Sequence, residues 1–153
     1  MPNLKEGDPA PEISLQTDQD KPFELSSLRG KNVILYFYPK ADTPGCTKEA
    51  CDFRTNSDRF TKANTVIVGV SPDPSNAQAK FKAKFDLPFT LLADTEHKVA
   101  EAYGVWKEKS MYGRKYMGVD RTTFVISPDG KIKKIFPKVK VDGHAEEVLA
   151  AIG

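Results

Sequence analysis

The sequence predicts an α/β sandwich in which helices cover both faces of a mixed β-sheet. Residues 33–38 and 65–71 are runs of β-branched, aliphatic and aromatic residues, short enough for strands and apolar enough to be buried on both faces. Stretches with apolar residues at helical spacing follow each of them. The order βαβαβα then ends in a strand, a Pro128-Asp129-Gly130 turn, a second strand and a last helix. The 153 residues suffice to bury a proper core, and a single domain over residues 1–153 is expected.

Taken in order, residues 7–15 read as an irregular lead-in to a short strand, Asp18-Gln19-Asp20 as a polar turn, and Phe23-Glu24-Leu25 as a segment that pairs back. Residues 26–31 form a turn or one helical turn ended by Gly30, and Pro39 ends the central strand over 33–38. From Cys46 to about Lys62, Ala50, Phe53 and Phe60 share a helical face, which predicts one amphipathic helix. After the strand over 65–71, Ser75 or Asn76 caps a helix through Phe85, with Ala79, Phe81 and Phe85 turned inward. Pro88 restarts the chain as a strand over 89–92, and a helix from about Glu96 to Tyr103 stops at Gly104. Residues 107–120 read as a polar loop whose Met111, Tyr112, Tyr116 and Met117 either flank a pocket or fold onto the core. The terminal hairpin covers 122–127 and 131–136, and the last helix 145–152. A thioredoxin-like three-layer α/β/α sandwich with a mixed central sheet fits this order.

Composition excludes several function classes. The 23 Lys and Arg are interspersed with 21 Asp and Glu, and the net charge of +2 marks no dedicated nucleic-acid surface. The one basic cluster, Lys131 to Lys140, reads as a solvated strand pair. No apolar run approaches a membrane span, and the N-terminus resembles neither a signal nor a transit peptide, so a cytoplasmic protein without membrane contact is expected. Two cysteines are too few for a disulfide scaffold. A metal site using Cys46, Cys51, His97 and His144 would lack a close ligand pair, so no metal is expected; without a phosphate-binding Gly motif no organic cofactor is expected, and both histidines are read as surface residues.

The two cysteines lie five residues apart, directly after the strand over 33–38 and the Pro44-Gly45 turn. The positive end of a helix and a nearby cation stabilise a thiolate, and Cys46 stands where a helix opens. Thr43, three residues earlier, offers a hydroxyl that accepts from one partner while donating to another. A buried, inert cysteine is the alternative. At about 100° per residue Cys46 shares the face of Ala50, Phe53 and Phe60, whereas Cys51 is turned about 140° away toward solvent. An ideal helix separates their Cα atoms by about 8.6 Å, against a reach of roughly 7 Å for an unstrained disulfide. If the two sulfurs join during function, the first turns of the helix must therefore unwind. Arg121, just before a β-prone run, is by position alone either a solvated residue or one that presents its guanidinium to the thiolate pocket.

Pro39, Thr43 and Cys46 match the Pro-x-x-x-Thr-x-x-Cys signature of the peroxiredoxins, and Cys51 sits where the bacterioferritin-comigratory, PrxQ-like subfamily often carries its resolving cysteine. The resemblance extends over nearly the whole chain, through residues 7–15, 28–33, 36–39, 69–71, 103–106 and 121–126. It implies a thiol peroxidase of antioxidant defence and redox homeostasis. In such an enzyme Cys46 attacks a peroxide oxygen to give a sulfenic acid, and Cys51 condenses with it to an intramolecular disulfide that thioredoxin, or a similar dithiol, reduces. It further implies that Thr43, the Cys46 N–H and Arg121 hold the peroxide, with Glu49 orienting the arginine and Pro39 in support. A monomer, or at most a weak dimer, is expected. Two readings compete with it: a thiol–disulfide oxidoreductase, which the five-residue spacing disfavours, and a redox switch that binds a partner after oxidation.

Overall fold

The computed structural model describes residues 4–152; Met1 to Asn3 of the N-terminal segment, and Gly153, lie outside the described residues. The strands are β1 (Ser14–Thr17), β2 (Pro22–Glu24), β3 (Asn32–Phe37), β4 (Thr65–Ser71), β5 (Thr90–Ala93), β6 (Trp106–Met111), β7 (Arg114–Val119), β8 (Thr122–Ile126) and β9 (Ile132–Phe136). The helices are α1 (Pro44–Thr55), α2 (Ser57–Lys62), α3 (Ser75–Phe85), α4 (Lys98–Ala102) and α5 (His144–Ile152). Seven strands form one mixed sheet in the order β2-β1-β5-β4-β3-β8-β9. The centre is parallel, β3 with β4 and β4 with β5, while β8 runs antiparallel to β3.

Alternation along β3 divides the core. Val33, Leu35 and Phe37 face a layer with Val99, Ala100 and Tyr103 of the α4 region, whereas Ile34, Tyr36 and Tyr38 face a layer with Cys46, Ala50 and Phe53 of α1, Phe81 of α3 and Val148 of α5. Both layers are apolar and fully covered, which is why β3 and β4 read as uninterrupted apolar runs. Tyr36 is packed closely by Phe53, with ring centroids 4.8 Å apart, and this contact fixes α1 on the sheet. No helix of the described residues is long and apolar enough to cross a membrane.

Four expectations differ from what is observed. The helix expected over 46–62 is two helices, interrupted where Asn56 leaves helical geometry (φ −99°, ψ 7°) and its side chain donates back to the Asp52 carbonyl at 2.8 Å. Phe60 is buried all the same, so the periodicity was satisfied by two segments. The loop expected over 107–120 is an antiparallel hairpin, β6 with β7, turning at Tyr112-Gly113, both at positive φ. Charged residues on both of its faces leave no apolar alternation to read, and the hairpin exposes Met111, Tyr112, Tyr116 and Met117 rather than folding them onto the core. The third difference is at α3, whose N-cap is Pro74: Ser75 bonds to Asp20 instead, and Gln78, not Ala79, is buried. Finally, His144 is buried at 1% exposure, with both ring nitrogens hydrogen-bonded, and His97 is half-buried against Trp106.

Gly69 lets β4 lie under the aromatic layer. A Cβ at this position would meet Leu91 Cδ2 and Tyr36 Cζ, both at 2.9 Å. Replacing Gly69 by Val is expected to destabilise the protein by about 1–3 kcal/mol through overpacking, measured as a lower urea midpoint at unchanged slope.

Candidate active site

The site forms where the C-terminal end of β3 meets the start of α1. After Phe37 the chain keeps one more ladder bond, Tyr38 N–H to Val70 O at 3.0 Å, and Pro39, which has no N–H, then turns it out of the sheet. The following loop is tied on two sides. The Ala41 N–H and the Ser71 hydroxyl donate to Asp73 Oδ2 at 2.7 and 2.6 Å, and Lys84 pairs with Asp42 at 2.9 Å. Thr43 is the extended residue before α1, Pro44 opens the helix, and the Thr47 N–H closes its first turn on the Thr43 carbonyl at 2.8 Å. The N–H groups of Gly45 and Cys46 precede that bond and have no carbonyl one turn back within the helix, so the positive end of α1 surrounds the Cys46 sulfur.

Arg121 reaches this point from the position immediately before β8. The antiparallel register sets Thr122 opposite Phe37, which brings Arg121 beyond the end of β3 and over the first turn of α1. Its Nη2 donates to Cys46 Sγ at 3.3 Å and its Nη1 to Glu49 Oε1 at 2.7 Å, so one planar guanidinium spans two residues three apart on the same helix face. A Cβ on residue 45 would lie 3.2 Å from Nη2, and glycine leaves that approach open. Cys46 and Glu49 are each 1% exposed, and the Arg121 side chain is 18% exposed. Burial pushes the Glu49 carboxyl up to about 7, and the Arg121 charge works against that rise. Burial opposes the charge on Arg121 as well, but Glu49 and Cys46 outweigh it and hold the guanidinium above its ordinary pKa.

Of the residues singled out from sequence, Cys46, Glu49 and Arg121 are in direct contact. Thr43 is the residue before α1, three positions ahead of Cys46, and its hydroxyl donates to the Lys40 carbonyl at 2.8 Å, which leaves its oxygen able to accept. Pro39 borders the loop without touching the sulfur by any polar atom. Cys51 lies on the other side of α1, partly exposed, and both cysteines are free thiols. What sequence reasoning missed is the support beneath the loop. Gln78 donates to Ser71 Oγ at 2.7 Å and to the Leu92 carbonyl at 2.9 Å while accepting from the Tyr38 hydroxyl, and Ser71 in turn holds Asp73. Burial pushes the Tyr38 hydroxyl up, so it remains a neutral donor in this chain. A glutamine on the inward face of α3, beside Phe81, was the available signal.

Known proteins resemble the chain throughout. Residues 6–135 match the AhpC/TSA family. Peroxiredoxin Bcp of Bacillus subtilis is 49% identical over 146 residues, 95% of this chain and 93% of the relative, and Peroxiredoxin Bcp of Escherichia coli is 44% identical over 149 residues, 97% and 96% of the two chains. Among solved structures, Xanthomonas campestris peroxiredoxin Q superposes with a TM-score of 0.88 at 40% identity, covering 92% of this chain and 89% of its own. A mutant of Xylella fastidiosa PrxQ superposes at 0.92 with 34% identity, covering 98% and 96%. These neighbours share the thioredoxin-like architecture of the mixed sheet described above.

The raised carboxyl has a measurable consequence. An acid whose folded-state pKa lies above its unfolded value contributes stability that is complete below about 4.5 and is lost as pH rises through about 7. Between pH 6 and pH 8 the protein should therefore lose about 1 kcal/mol that Glu49→Gln does not lose, seen as converging urea midpoints of the two proteins at the lower pH.

Proposed function

The chain belongs to the AhpC/TSA family, and on that premise we propose a reaction cycle that runs from Cys46 to Cys51. It is a thiol-dependent peroxidase: its substrate is a peroxide and its reductant is of the thioredoxin type. The observation that supports Cys46 as the nucleophile is the guanidinium shared between its sulfur and Glu49 at the start of α1. The peroxide enters beside Thr43, whose hydroxyl and the Cys46 N–H bind its oxygens while Arg121 faces them from the residue before β8. The Cys46 thiolate attacks the terminal oxygen, an S–O bond forms as the O–O bond breaks, and the leaving oxygen takes a proton and departs as water or alcohol. Sulfur is oxidised by two electrons to a sulfenic acid, and the peroxide is reduced by the same two.

Charge moves from sulfur toward the leaving oxygen during this step, so donors already aimed at that line stabilise the transition state without reorganising. Glu49 serves by holding Arg121 in that orientation. Pro39 and the Tyr38-Gln78-Ser71-Asp73 chain serve by fixing the loop that carries Thr43. Cys51 then attacks the sulfenic sulfur, a disulfide forms and water leaves. Because α1 is intact with the two cysteines on different sides, its turns between them open for this step. A thioredoxin-type dithiol returns both thiols. The same reading takes residues 1–153 as one domain that works in the cytoplasm as a monomer or weak dimer, testable by light scattering at working concentration.

Peroxide should remove two hydrogen atoms from the intact mass of the reduced protein. Cys46→Ser should abolish peroxide consumption, and Cys51→Ser should accumulate a dimedone-reactive sulfenic acid at Cys46; consumption at the wild-type rate by Cys46→Ser would refute the assignment. Arg121→Lys keeps a charge but loses the planar fork, and the second-order rate constant for Cys46 oxidation should fall by at least about tenfold in stopped-flow measurements.

A further inference from the structure

The unwinding of α1 has a restraint built against it. His144, the first residue of α5, is buried and forms a hydrogen-bonded chain from helix to sheet: its Nδ1 meets Glu147 Oε1 at 2.6 Å and its Nε2 meets Thr123 Oγ1 at 2.7 Å. A carboxylate can only accept, so Nδ1–H donates to Glu147, and the neutral ring accepts the Thr123 O–H at Nε2. Burial holds the imidazole below its ordinary pKa, in keeping with that neutral form, although Glu147 acts in the opposite direction. Thr123 is fully buried on β8, opposite Tyr36 of β3.

The ring held in this way stands edge-on to Phe53 of α1, with centroids 6.0 Å apart, and to Phe136 of β9 at 5.3 Å. Phe53 follows Cys51 by two residues. Around it, the segment leading into α5 and the helix itself touch the α1 region twice more, through Lys48 and Asp142 at 3.5 Å and through Arg59 of α2 and Glu146 at 2.7 Å. Lys48 lies between the two cysteines. The part of α1 that must open is thus flanked by α5, and α5 is tied to β8 by the buried hydrogen bond between His144 and Thr123, which lies outside the Cys46, Glu49 and Arg121 cluster.

We infer that Thr123, His144 and Glu147 are positioning residues for the resolving step: by seating α5 against Phe53 they set how often Cys51 reaches the Cys46 sulfenic acid. This rests on the Cys46–Cys51 disulfide proposed above. While α1 stays closed the sulfenic acid survives, and a second peroxide converts it to sulfinic acid with release of water or alcohol. The clasp therefore sets the partition between disulfide and overoxidation.

Reduced wild type, Thr123→Val, Glu147→Ala and Val99→Ala are mixed with hydrogen peroxide, quenched over time and read by mass spectrometry for thiol, dimedone-trapped sulfenic acid, disulfide and sulfinic acid. Val99 lies in the opposite core layer and controls for general loss of stability. In Thr123→Val and Glu147→Ala, loss of the Cys46 thiol should keep its wild-type rate constant. Disulfide formation should accelerate about fivefold or more in Thr123→Val, the effect of one buried hydrogen bond, and more modestly in Glu147→Ala, whose bond is part-exposed, and sulfinic acid should fall in proportion. Val99→Ala should leave the partition unchanged. Wild-type disulfide kinetics in both clasp variants, or equal acceleration in Val99→Ala, would overturn the inference. Absence of any disulfide in oxidised wild type would overturn the pairing beneath it, and that outcome is read from the wild-type sample alone.

Discussion

One guanidinium, shared by a buried sulfur and a buried carboxylate, organises this molecule around its reactive end. Arg121 stands immediately before β8, and Cys46 and Glu49 come from α1, so the contact joins residues 72 to 75 positions apart in sequence. Burying a carboxylate is costly unless a charge and hydrogen bonds meet it, and Arg121 supplies both to one oxygen of Glu49. The other oxygen is buried without a partner among the described residues, and burial accordingly keeps that carboxyl well above its ordinary range. The β3–β8 register, the small residue at position 45 and the tied loop before α1 all serve to bring these three groups together.

The same helix that presents the sulfur also keeps its partner away. A helix of twelve residues is marginal in water by itself, and α1 holds its shape because Cys46, Ala50 and Phe53 are pressed into the aromatic layer over β3. Its stability is therefore set by neighbours, which makes local opening possible without loss of the sheet. Tyr36 grips Phe53 from below and α5 grips it from the side, whereas Cys51 sits on the outer face with no such hold. In the proposed cycle peroxide attack needs the closed helix and disulfide formation the open one, and the packing around Phe53 stands between the two.

The legible parts of the sequence were those governed by local periodicity. The runs over 33–38 and 65–71 were recognisable because a strand buried on both faces has no polar alternation, and Cys46, Ala50 and Phe53 were placed on one face by helical spacing alone. The break at Asn56 escaped that reasoning, since a side chain returning to the backbone leaves the apolar spacing on either side intact. The hairpin from Trp106 to Val119 escaped it for the opposite reason: with charged residues on both faces, backbone pairing rather than burial makes it a strand pair. His144 was read as a surface residue because it is polar, and Gln78 was not singled out; their burial depends on partners, Thr123 for one, Tyr38 and Ser71 for the other, that only folding brings close.

By itself the sequence determined that two cysteines stand on one helix after a central strand, turned to different sides, and the signature around them carried the family resemblance. Those features follow from the fixed geometry of a helix and from residues that are neighbours along the chain. The tertiary structure alone decided that Arg121 reaches the sulfur, that Glu49 shares it, and that a buried histidine on the last helix packs against Phe53 of the helix that carries both cysteines. Each of those contacts bridges segments more than twenty residues apart, where no spacing rule applies and the sheet register chooses the partner.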